Sequence, residues 1–216
     1  LEAIINNLFY ILNGIGTTVK LALGTAVLSI PLGALAAVGK VSGGKALKTV
    51  LSFYTWLFRG TPLLLQVFFV YYGLPILSPK LTISSGFAAA LLTFVLNYAA
   101  YFTEIFRGGI ESIDKGQYEA SKAMGFGYWQ TMVYIIFPQT VRRVIPTTSS
   151  EMVNLVKDTA LVAAIGLGDL LRSSREIVTK EFIISPFVIA AVVYLMLNSV
   201  IMYTFKRIEE KAKIYE

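Results

Sequence analysis

Gly86-Phe87-Ala88-Ala89-Ala90-Leu91-Leu92-Thr93-Phe94-Val95-Leu96-Asn97-Tyr98-Ala99-Ala100-Tyr101-Phe102-Thr103-Glu104-Ile105-Phe106 is a run of 21 residues with a single charge. Wound as an α-helix at about 1.5 Å per residue, it measures roughly 31 Å, the thickness of a bilayer's hydrocarbon core. The whole chain agrees with it: of 216 residues 56% are hydrophobic and 15% charged, and the mean hydropathy is +0.67. An average soluble domain has about a quarter of its residues charged, and a disordered chain needs low hydrophobicity with high charge. Both classes fail, and the fold class is all-α, an integral membrane helical bundle.

Further spans lie on either side. Pro186–Phe205 is equally clean, and Thr18–Val38 is apolar apart from Lys20 and contains Pro31, which membrane helices tolerate. Leu63–Leu77 is short, and Phe53–Phe58 would lengthen it through the interruption Arg59-Gly60-Thr61-Pro62. Tyr128–Val156 is a broken segment containing Pro138, Arg142, Arg143 and Pro146. About five transmembrane helices are expected. Leu161–Gly168 is too short to cross and is expected against the outer interface or partly re-entrant. In the first 16 residues Ile4, Ile5, Leu8, Phe9, Leu12 and Ile15 fall at helical spacing with Asn6, Asn7 and Asn13 opposite, which predicts a helix lying in the interface over 1–16. No basic stretch precedes it, so a cleavable signal peptide is not expected. No internal repeat is visible, and residues 1–216 read as one transmembrane domain.

Positive loops stay cytoplasmic. Lys40, Lys45 and Lys48 follow the first span; Arg107, Lys115, Lys122, Arg142 and Arg143 follow the third; Lys206, Arg207, Lys211 and Lys213 follow the last. These are twelve of the nineteen basic residues. The N-terminus is therefore expected outside and the C-terminus inside, and the net charge of +6 reports topology instead of nucleic-acid binding. With no Cys and no His, Cys/His zinc sites, thiol nucleophiles and Ser-His triads are excluded. Gly39-Lys40-Val41-Ser42-Gly43-Gly44-Lys45 has P-loop spacing but is followed by Ala46, where a magnesium-binding Ser or Thr is needed, and it follows a membrane helix instead of a strand.

Between the third and fourth spans runs Lys115-Gly116-Gln117-Tyr118-Glu119-Ala120-Ser121-Lys122-Ala123-Met124-Gly125. Helix formers fill it and Gly125 is placed to end it. Its small residues allow another protein to approach closely. The segment resembles the cytoplasmic motif of the permease subunits of bacterial ATP-binding-cassette importers. That motif is Glu-Ala-Ala, three residues, Gly, nine residues, then Ile-x-Leu-Pro. Here it reads Glu119-Ala120-Ser121, Gly125 and Ile135-Ile136-Phe137-Pro138, with Ser121 and Phe137 as mild departures. Arg59-Gly60-Thr61-Pro62, Tyr101-x-x-Glu104-x-x-Arg107-Gly108-Gly109 and Lys157-Asp158-Thr159-x-Leu161 are similar to the polar amino-acid permeases of that family.

The resemblance implies that 115–127 is a coupling helix, held by a separate ATPase subunit through Tyr118, Glu119, Ala120, Ala123, Met124 and Gly125. It implies ATP and magnesium on that partner, with no cofactor on this chain. It also implies a second permease subunit, identical or closely related, an extracytoplasmic amino-acid-binding protein, a lipid environment and a bacterial inner membrane. Nucleic acid is not an expected partner. An ion-coupled secondary transporter or channel subunit is the alternative, and an intramembrane hydrolase a distant third.

Substrate residues are sought among polar groups inside spans, where an ionisable side chain is costly unless it faces a partner or a wet cavity. Thr93, Asn97, Tyr101, Glu104 and Gly108 share one face of the third span; Thr147, Glu151, Asn154 and Asp158 share one face of the fourth. Asn97, Tyr101, Glu104, Glu151 and Asn154 are expected to surround a translocated amino acid. The carboxylates would read an ammonium or a cationic side chain, with Tyr101 adding a cation-π contact. The alternative is structural: Glu104 paired with Arg107, and Glu151 with Arg142, Arg143 or Lys157.

Overall fold

The computed structural model describes residues 2–213, with side chains for 7–212. Ile4, Ile5, Asn6 and Lys213, invoked above, have side chains outside the described residues. Among the described residues the regular structure is helical throughout.

α1 (Glu2–Asn13) runs into α2 (Ile15–Ser42) because Gly14 between them has right-handed helical geometry. From Asn7 to Ser42 they form one 36-residue helix. The segment expected to lie in the interface over 1–16 is, from Asn7 on, continuous with the helix of the first span. α6 (Gly86–Glu111) is the central helix, with most of its middle buried between Ala89 and Ile110. α2 packs along it through Ala22, Ala26, Gly33 and Ala37 against Ala89, Ala90, Ala99 and Phe102, a small-residue seam of the kind that lets membrane helices approach closely. At Gly33 an added Cβ would sit 2.5 Å from the Cβ of Phe102, so only glycine fits this crossing.

The second span is a bent pair. α3 (Lys45–Gly60) and the stretch Leu63–Leu77 meet at 103° across Thr61 and Pro62, so the expected straight extension does not form. That stretch consists of α4 (Leu63–Phe68), a π turn (Phe69–Gly73) and α5 (Leu74–Leu77). The fourth crossing comprises α8 (Tyr128–Thr131), a π turn (Met132–Ile136) and α9 (Phe137–Asp158), and it runs on through both of its prolines. It is too polar to qualify as a span by composition, as only α1–α2, α6, the bent pair and α11 (Ser185–Lys213) do. Leu161–Gly168, expected against the outer interface or partly re-entrant, overlaps a 3₁₀ helix (Thr159–Ile165) whose Val162 and Ile165 are buried in the main core. α10 (Leu170–Glu181) follows, capped by Asp169, whose carboxylate accepts from the N–H groups of Leu171 and Arg172 at 3.0 Å.

Candidate functional site

The bend at Arg59–Pro62 leaves the last carbonyls of α3 without helical partners, and in hydrocarbon such groups must be satisfied by other protein atoms. Asn97 on α6 donates to the Phe58 carbonyl at 2.9 Å and to Gln66 Oε1 at 3.0 Å. Gln66 on α4 donates to the same carbonyl at 2.9 Å and to Thr61 Oγ1 at 2.8 Å. The two amides clamp the break open.

The opening so held is a cavity of ≈ 790 Å³. Arg59, Thr61 and Pro62 line it from the break, Asn97, Tyr98 and Tyr101 from α6, and Glu151, Asn154, Lys157 and Asp158 from α9. Asn97 and Tyr101 of one polar stripe and Glu151, Asn154 and Asp158 of the other therefore face one space. The Arg59 guanidinium lies 5.3 Å from the Tyr101 ring centre. Asp158 accepts a hydrogen bond from the Tyr98 hydroxyl at 2.7 Å. No ion pair reaches Glu151 among the described residues. The lining offers two cations and two carboxylates, complementary to a small molecule that carries both charges.

Four of the five residues expected at the substrate come together here: Asn97, Tyr101, Glu151 and Asn154. Asn97 and Tyr101 already have partners within the chain. Both N–H groups of Asn97 are occupied by the clamp, and the face of Tyr101 is already paired with a cation of the same chain. Glu104 is not in the lining. It lies one turn further along α6 in a separate cluster, bound by Lys40 of α2 and, at 2.7 Å, by Arg107. Lys40 also donates to Thr55 of α3 at 2.9 Å, so the cluster joins three helices. Both of its oxygens face cations, and the Arg107 pairing weighed as its alternative is present. Arg59, Thr61, Tyr98 and Lys157 were not foreseen as lining. For Arg59, Thr61 and Lys157 the signal was present in Arg59-Gly60-Thr61-Pro62 and beside Asp158, where these polar residues had no assigned task.

A second feature sits at the far end of α6. α7 (Lys115–Ala123) is capped by Asp114, whose Oδ1 accepts from Gly116 N at 2.7 Å. It is shorter than the expected 115–127. Gly125 ends it at φ 82° while Phe126 N–H reaches the Ser121 carbonyl, a Schellman closure that favours glycine. Glu119, Ala120, Ala123 and Met124 face outward, and Met124 is 75% exposed. Tyr118 points the other way, half-buried against the main core, and Ser121 is buried. The helix thus presents a small-residue face outward from an anchored inner edge.

Residues 29–214 match the family model of the binding-protein-dependent transport system inner membrane component. The chain belongs to this family. It is 36% identical over 214 residues to the arginine transport system permease protein ArtQ of Bacillus subtilis, covering 98% of this chain and 96% of that one. It is 34% identical over 200 residues to the glutamine transport system permease protein GlnP of Escherichia coli, covering 90% and 91%. A crystal structure of an amino acid ABC transporter with histidines superposes with a TM-score of 0.88 at 29% identity, covering 97% of each chain. An inward-facing structure of the MetNI methionine ABC transporter shares the fold, with a TM-score of 0.78 at 18% identity over 94% of this chain and 96% of that one. A permease of this family is a transport subunit and not an enzyme; the family implies an ATPase partner that uses ATP, and a substrate-binding protein.

Proposed function

We propose that this permease forms the translocation path for a polar amino acid in a bacterial inner membrane. In this reading the whole of 1–216 works as one domain beside a second permease subunit, identical or closely related. An extracytoplasmic amino-acid-binding protein delivers solute, and ATP with magnesium is consumed on the ATPase subunit. The cavity at the α3–α4 bend carries the reading. Its Glu151, free of an ion pair among the described residues and with Asn154 one turn away, suits the substrate's ammonium group or a cationic side chain, and Arg59 and Lys157 suit its carboxylate. Relatives named for arginine and glutamine transport support a basic or neutral polar substrate.

α7 is the coupling element. Glu119, Ala120, Ala123, Met124 and the Gly125 turn meet the ATPase, and Tyr118 anchors the helix to the bundle. A short stiff helix transmits displacement that a loop would absorb, so closure of the ATPase subunits rocks the spans between inward-open and outward-open states.

The test is uptake by the complete importer in liposomes, with ATP inside and binding protein outside, over a panel of amino acids. Glu151→Gln is expected to lower uptake of the preferred amino acid about tenfold, the effect of roughly 1.4 kcal/mol of lost interaction. ATPase assembly should be unchanged. Unaltered uptake and selectivity in that variant would remove the cavity from the substrate's path.

A further inference from the structure

α3 carries a second lined space, remote from the translocation cavity in its residues. It is an open depression of ≈ 660 Å³ bounded by Gly43, Lys45, Lys48, Thr49, Ser52, Phe53 and Trp56. Steps of three and four place these α3 side chains on one helix face, in a fixed order along the axis. Lysines come first, then two hydroxyls, then two aromatic rings.

That order matches the layers of a phospholipid. α3 begins at the cytoplasmic end of the first span, where the basic loop sits. From Lys48 to Trp56 is eight residues, about 12 Å of helix rise. This is enough to pass from the phosphate level through the interfacial layer to the first acyl carbons, a layer of roughly 5–7 Å on each side of the hydrocarbon. Phe53 and Trp56 are exposed (60% and 68%) with ring centres 5.7 Å apart, at the depth where aromatic side chains favour the membrane interface.

The charge has no other owner. The sequence holds no Asp or Glu between Glu2 and Glu104, and neither Lys45 nor Lys48 has an ion-pair partner among the described residues. Lys40, five residues before Lys45, is by contrast bound to Glu104. An anion that complements the pair would come from outside the chain, and the cytoplasmic leaflet is rich in anionic lipid. We propose that this face of α3 binds an anionic phospholipid of that leaflet. Lys45 and Lys48 hold the phosphate, Ser52 lies at the glycerol-ester level and Phe53 with Trp56 packs on the acyl chain. Thr49 frames the site, its hydroxyl donating to the Lys45 carbonyl at 3.0 Å.

Trp56 is the reporter. The assembled importer is reconstituted in phosphatidylcholine vesicles containing brominated phosphatidylglycerol or brominated phosphatidylcholine, and quenching at Trp56 is read as the difference from a Trp56→Phe importer. The expected result is a preference of about fivefold for the anionic lipid, weakening as salt rises. The preference should fall to parity in Lys45→Gln/Lys48→Gln and persist in Lys45→Arg/Lys48→Arg, while inorganic phosphate in excess fails to displace the lipid. Parity in the unaltered importer, or a preference indifferent to loss of both lysines, would overturn the proposal. Displacement by phosphate would show a free-anion site instead, and absence of quenching by either lipid would show a protein surface covering the face. Both outcomes contradict it.

Discussion

Asn97 shows how a residue can face a transport cavity and still owe its place to the backbone. Its two N–H groups end on the Phe58 carbonyl and on Gln66. Asn97→Leu should cost about 1–3 kcal/mol, the penalty for leaving such a group unsatisfied, seen as a lower melting temperature of the purified complex. Glu104→Gln should cost a similar 1–3 kcal/mol, because Lys40 and Arg107 lose charge-assisted partners in a half-buried cluster. Its amino-acid selectivity should be unchanged, and altered selectivity would place Glu104 on the substrate's route after all. Periodicity revealed that Asn97, Tyr101 and Glu104 share a stripe with helical spacing. It could not divide the stripe between cavity and ion cluster, because the partners Phe58, Gln66 and Lys40 come from other helices. Lys40 in particular is 64 residues from Glu104.

Among the elements, both π turns precede a proline. Leu74 N–H reaches back to the Phe69 carbonyl just before Pro75, and Phe137 N–H to the Met132 carbonyl just before Pro138. Proline lacks the N–H its helix needs and crowds the carbonyl four residues back, and the extra residue in each turn makes room for the ring. This is why the fourth crossing runs on through Pro138, where its sequence reads as broken. Gly125 and Gly33 are the positions where substitution is most telling. Gly125→Val forces a branched side chain to φ 82°, costing roughly 1–2 kcal/mol, and should loosen ATPase co-purification while the spans stay folded. Gly33→Val drives α2 off Phe102 and should destabilise the bundle itself by about 1–3 kcal/mol or more.

α10 is tied to α1 through Glu176, which accepts from the Tyr10 hydroxyl and pairs with Arg172 at 2.8 Å. The Tyr10 hydrogen bond and the Arg172 contact hold this carboxyl below its ordinary 4.5. Its contribution is therefore present above pH 4.5 and is lost as pH falls through the lower folded value. The melting-temperature gap between the native protein and Glu176→Gln should be open at neutral pH and close under acid; a gap constant with pH would contradict the link.

At the scale of the whole molecule, the clean spans and the outward small-residue face of α7 were legible because each depends on neighbours within a turn or two. The bend, the buried 3₁₀ segment and the joined α1–α2 helix were not, since each is decided by what packs against it. Val162 and Ile165 read as interfacial until the core that takes them is seen. The molecule that results has a polar cavity at a helix break and a short anchored helix at the far end of the helix that lines it. In the proposed function force and path meet on one element, α6, which enters the cavity through Tyr101 and hands the chain to α7 within four residues of its end.

Solute flux in liposomes, with the ATPase and binding protein present or omitted and with or without ATP, tests that arrangement most directly. Amino-acid accumulation is expected only in the complete system with ATP, and is abolished when Gly125→Val uncouples α7 from the ATPase. Full-rate movement of solute by the permease alone, with no nucleotide, would contradict it.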